Sequence, residues 1–161
     1  MADQHVFKFL HLEGSPAVKN AAVDGSVASK AFVYNPDENV EISRMIVMIQ
    51  TAANISAEKY GDQAVLTNGV NVEWIRTNNG TLDLVDGLYV KSNAHWGGLC
   101  YDVDHWDPSV GNKFVLVRWT FGQTGKPLYM YPGDEFRVVI RDDLTGLVAQ
   151  TFMLQGSRPL Q

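Results

Sequence analysis

Apolar and polar residues alternate one by one along several stretches of this chain, the period of two that marks a half-buried β-strand. From Lys113 to Phe121 the alternation sets Val115, Val117, Trp119 and Phe121 on one face, with Arg118 and Thr120 on the other. Glu135 to Arg141 repeats the pattern with Phe136, Val138 and Ile140 inward, and Asn71 to Arg76 does so again. Further strands are predicted at 6–12, 31–34, 40–51, 88–90 and 149–154, all rich in the β-branched and aromatic residues that a pleated surface favours. Turn signals separate them: Asn35-Pro36-Asp37, Asn68-Gly69, Asn78-Asn79-Gly80, Asp86-Gly87, Asp107-Pro108 and Tyr131-Pro132-Gly133-Asp134.

Helix signals are scarce. A Ser cap and a closing Gly predict one short helix at 56–61. Thr145-Gly146 reads as a hairpin turn joining the Phe136 strand to the Phe152 strand. Residues 13–29 read as a loop or edge strand, and the tail from Gly156 as frayed or docked on a neighbour. Gly97-Gly98 reads as a bend or bulge between strands. Many short strands with frequent turns predict a single all-β domain spanning 1–161, an antiparallel β-sandwich of jelly-roll kind with about eight strands.

Composition narrows the function. The chain of 161 residues is 45% hydrophobic and only 19% charged, a globular composition in which part of the surface is expected to be covered by a partner. Its formal net charge is -5, and its 13 Lys and Arg residues are scattered singly, which argues against nucleic acid and against an anionic membrane surface. The longest apolar run, Met45 to Ile49, is five residues, far short of a membrane span. The N-terminus has neither the basic region nor the apolar core of a signal peptide, so a soluble protein outside the secretory route is expected. A lone cysteine, Cys100, makes neither a disulfide nor a zinc site and reads as a small buried hydrophobe; the missing disulfide suits a reducing cytoplasm.

The densest polar-aromatic cluster is Tyr101-Asp102-Val103-Asp104-His105-Trp106-Asp107. Its alternate carboxylates could face a calcium ion, but the cluster lacks the central glycine and terminal Glu of a calcium loop. His105 beside Asp102 or Asp104 is half of a triad, yet no G-x-S-x-G elbow supplies a nucleophile. The histidines His5, His11, His95 and His105 form no H-x-H pair of the kind metal-binding cupins use, and no phosphate-cradling Gly-rich loop occurs. The expectation is therefore no enzyme and no cofactor. Trp74 and Trp119 fall in phase with apolar neighbours and read as core. Trp96 and Trp106 lie in Gly- and Asp-rich surroundings and are expected to be exposed, with His95, Tyr101 and His105, as partner-contact residues.

A set of segments carries a resemblance: Glu41 to Val47, Tyr60-Gly61, Leu66 to Val70, Asp83 to Gly87, Val90 to Trp96, Val117 to Phe121, Asp142 to Leu147 and Phe152 to Gly156. From about Phe32 to Gly156 the chain resembles small structural proteins of tailed-bacteriophage virions, of the capsid decoration or cement type. The resemblance implies a non-catalytic protein on the head surface, assembled in the host cytoplasm. Its implied partners are the major capsid protein and copies of itself, as a homotrimer. A carbohydrate-binding β-sandwich module, or a neck or tail accessory protein, is the alternative.

Overall fold

The structure, a computed structural model, describes residues 3–85, 90–99, 102–106, 113–121 and 126–159. In chain order its elements are β1 (Asp3–Phe9), β2 (His11–Leu12), β3 (Lys30–Tyr34), β4 (Val40–Thr51), β5 (Val70–Arg76), β6 (Gly80–Asp83), α1 (Asn93–Leu99), β7 (Asp102–Trp106), β8 (Lys113–Thr120), β9 (Leu128–Met130), β10 (Glu135–Ile140) and β11 (Ala149–Pro159). They build two antiparallel sheets. One has the order β1-β11-β4-β8-β7, with β9 pairing the start of β4; the other has the order β2-β3-β10-β5-β6. The fold is the predicted all-β sandwich. The eleven strands among the described residues exceed the predicted eight because short pieces such as β2, β6 and β9 carry too few residues to show a period.

The alternation predicted for the two clearest strands is the one observed. Val115, Val117 and Trp119 of β8, with Phe121 just beyond it, are buried, as are Phe136, Val138 and Ile140 of β10. They meet in one core between the sheets, where Phe32 of β3 packs on Phe152 of β11 with centroids 5.3 Å apart, and Trp119 meets Phe121 edge-on at 4.9 Å. Aromatic pairs in this geometry add to the stabilisation from area burial alone.

Four local expectations are corrected. Segment 56–61 is a turn, because its carbonyls bond to the start of α1: Ala57 O accepts from the Ala94 N–H, and Ser56 O from Asn93 Nδ2 at 2.8 Å. The buried Asn93 amide also bonds both backbone groups of Gly61, at 2.9 and 3.0 Å. Locally Ser56 O accepts only from the Lys59 N–H, an i→i+3 turn bond, at 3.2 Å. The helix forms instead at 93–99, so Gly97 and Gly98 are helical rather than a bend. The 141–148 segment is a crossover, since β10 and β11 belong to different sheets. Asp142 anchors it by accepting from the successive N–H groups of Thr67, Asn68 and Gly69. The tail does not fray before residue 159: β11 pairs along all of β1, from Phe9↔Met153 to Asp3↔Pro159.

Candidate functional site

The five residues expected to contact a partner do not form one exposed patch. Trp96 is fully buried (0% exposed) on α1, which packs against β7 and β8. This corrects the expectation that its Gly-rich setting made an exposed loop: the glycines lie in the helix, and the indole joins the core cluster. His95 is half-buried and closes its own turn, Nδ1 accepting from the Lys91 N–H at 3.0 Å while its N–H donates to Ser92 Oγ at 3.3 Å. His105 and Trp106 stand on β7, a strand at the sheet edge rather than a loop, in register with Val115 and Phe114. Tyr101, Cys100 and Asp107 lie outside the described residues. Among the described residues no group of three or more His, Cys, Asp or Glu side chains is placed to hold a metal ion. Among them, too, no helix is long and apolar enough to cross a membrane.

Two other surfaces stand out. The first is the outer face of the β1-β11-β4-β8-β7 sheet. A sandwich sheet with one solvated face shows polar residues there, and the outer face of the other sheet sets Glu73, Asp83, Glu135 and Arg137 among Val33, Ile75 and Val139. Arg137 pairs there with Glu135 at 3.1 Å and with Glu13. On the first sheet, register places Phe9, Met153 and Ile46 in one row across β1, β11 and β4, with Arg118 of β8 beyond them. Met48 and Leu116 occupy the next row on β4 and β8. Ile46, Met48, Leu116 and Met153 are only half-buried, and Phe7 and Phe9 at the edge are 49% and 42% exposed. The two phenyl rings stack edge-on at 5.4 Å.

The second surface is a groove at one end of the sandwich, where the turn after β5 meets the turn after β9. It encloses about 450 Å³ and is lined by Trp74, Arg76, Thr77, Asn78, Asn79, Tyr129, Tyr131, Pro132 and Asp134. The β9–β10 turn closes with the Asp134 N–H on Tyr131 O at 2.9 Å, and Gly133 supplies the positive φ (96°) that follows Pro132 in such a turn. A side chain at Gly133 would press on Thr77 Oγ1.

Asp134 ties the two turns together. Its Oδ1 accepts from the N–H and hydroxyl of Thr77 at 3.0 and 2.9 Å; its Oδ2 accepts from the Tyr131 N–H at 3.1 Å and from Trp74 Nε1 at 3.2 Å. Burial alone pushes this carboxyl up, but the hydrogen bonds outweigh it and hold the pKa below the usual aspartate range. A depressed native pKa means the unfolded chain binds the proton more readily. Asp134 therefore stabilises the fold fully above the ordinary aspartate range, and that contribution fades as pH falls through the depressed value. Asp134→Asn is expected to be less stable than the parent at pH 7 and to lose less stability on acidification; melts that stay parallel from neutral pH to pH 2 would refute this.

Two other shifts belong to structural groups. Burial, aided by Asp37 and Glu38, pushes the Tyr34 hydroxyl up to about 12. Burial also raises Tyr60, whose hydroxyl donates to Gln150 Oε1 at 2.8 Å inside the core.

Sequence reading missed both surfaces. The run Met45 to Ile49 already breaks strict alternation, as does Phe114 to Val117, and unbroken apolar strands are the mark of a sheet covered on both faces. The groove is assembled from residues more than fifty positions apart, so no local pattern announces it. No family model matches the chain, and comparison with curated proteins and with solved structures yields no match.

Proposed function

We propose that this protein is a non-catalytic structural component of a bacteriophage virion that decorates or cements the capsid shell, docking through the outer face of its β1-β11-β4-β8-β7 sheet. The observation that carries the reading is the apolar stripe on that outer face, formed by Phe7, Phe9, Met153, Ile46, Met48 and Leu116 and flanked by Arg44 and Arg118. An apolar surface of this kind is costly in water and marks a face made to be covered. Low charge content and the resemblance drawn from the sequence support the same reading. The partners are the major capsid protein and copies of this chain, arranged as a trimer on the head surface. Contacts bridging neighbouring shell subunits stabilise the assembled form by mass action, because they exist only there.

The test is mass spectrometry of gradient-purified particles from infected cells, beside particles carrying Ile46→Glu and Met48→Lys together. The parent chain is expected at a fixed ratio to the shell protein, and the variant is expected to fold but to leave the particles. Particles that lack the parent chain would overturn the proposal, and so would full incorporation of the variant.

A further inference from the structure

We infer that the groove between the β5–β6 and β9–β10 turns is a binding site for a neutral oligosaccharide chain, stacked on Tyr129 and Tyr131. This inference is independent of the assembly role and rests on different residues.

Tyr129 and Tyr131, 51% and 55% exposed, both line the groove and leave much of their aromatic surface uncovered. Leu128 and Met130, the neighbours on β9, turn toward the core, so Tyr129 and Tyr131 project on the opposite side, about 7 Å apart along the chain. An aromatic face is apolar and electron-rich, and the C–H face of a pyranose ring packs on it while its hydroxyls stay at the edge. Two such faces in succession suit consecutive sugar units rather than a single ring.

A second hollow of about 320 Å³, which includes Asn39 and Ser157, is lined by the same two tyrosines. Two hollows that share both tyrosines offer room for more than one sugar unit. Beside Arg76, Glu41 and Asp134, their polar lining consists of amides and hydroxyls, with Asn78 and Asn79 in the first hollow and Asn39 in the second. Each amide both donates and accepts, as a sugar hydroxyl does. The net charge of -5 disfavours acidic polysaccharides.

The site is stiff before any ligand arrives. Asp134 holds the Trp74 indole and both turns through four hydrogen bonds, and Arg76 lies over the Trp74 ring at 5.7 Å. Preorganisation of this sort lowers the ordering cost of binding. An extended peptide adding to the walls is disfavoured, because backbone groups of both turns already bond to each other or to Asp134: Asp134 to Tyr131, Asn79 to Arg76, and Thr77 to the Asp134 carboxylate.

The experiment is a panel of immobilised neutral oligosaccharides built from glucose, galactose, mannose and N-acetylglucosamine, with titration calorimetry on any that bind. A proline-rich peptide serves as the competing probe. At least one oligosaccharide is expected to bind, and Tyr129→Ala with Tyr131→Ala is expected to lower its affinity tenfold or more at an unchanged melting temperature. Asn79→Ala is expected to weaken binding less. The inference is overturned if no member of the panel binds at millimolar concentration, if the double variant binds as well as the parent, or if only the peptide binds. Sugar binding by a chain that never enters particles would sustain this inference and remove the assembly role.

Discussion

Replacing Trp96 with alanine is expected to cost the fold about 3–5 kcal/mol, the usual penalty for emptying a fully buried aromatic site. The indole is 0% exposed and belongs to the same core cluster as Tyr60, Val115 and Val117, so its removal leaves a cavity that α1 and β8 must collapse around or tolerate. Alanine is an excellent helix former, so the loss does not come from helix propensity. Trp96→Phe keeps much of the apolar volume and is expected to lose less than the alanine variant. Urea unfolding of the three proteins decides the matter. An alanine variant as stable as the parent would mean that Trp96 is a surface residue after all, and would return it to the list of partner contacts.

The second large effect is expected at Gly156. The register between β4 and β11 shifts between Gln155 and Gly156, and at this bulge a Cβ would overlap the Glu41 carbonyl oxygen and crowd the Ile42 Cα. Both obstacles are backbone, so no change of rotamer relieves them. Gly156→Ala is expected to cost about 3 kcal/mol or more, at the upper end of what overpacking produces. The damage should be local at first: amide exchange should speed up at residues 156–158 and their partners on β1 and β4, while Phe152 and its neighbours remain protected. Normal stability with unchanged exchange would show that the two strands part more easily than their packing implies.

What could be read from the sequence follows from how local each signal is. Strands β8 and β10 were legible because each spends at least six residues alternating between core and surface. The helix was misplaced because Ser56 and Gly61 carry the caps, while the bonds that decide the matter come from Asn93, more than thirty residues away. Trp96 was misjudged for a related reason: glycines at 97 and 98 signal a loop, and only tertiary packing of the indole explains why they remain helical. The crossover after β10 resembled a hairpin because its Thr-Gly turn is genuine, but the choice of sheet is made by the pairing of β11 with β4 and β1. Likewise the groove exists only where two distant turns are tied by Asp134. The apolar outer face was the nearest to legible, since Met45 to Ile49 and Phe114 to Val117 interrupt the alternation that surrounds them.

One consequence of the strand order concerns time. Strand β11 lies between β1 and β4, although it leaves the ribosome after every other strand described here. Until then β1 has no neighbour to bond to, and one side of β4 stands open. The nascent domain must wait for its last strand with an aromatic edge exposed, and closing the sheet joins residues as far apart as 3 and 159. Such distant pairings are slow to form, on the order of milliseconds to seconds in β-rich domains. Truncating translation before residue 149 should therefore yield a chain that chaperones hold rather than a smaller folded protein.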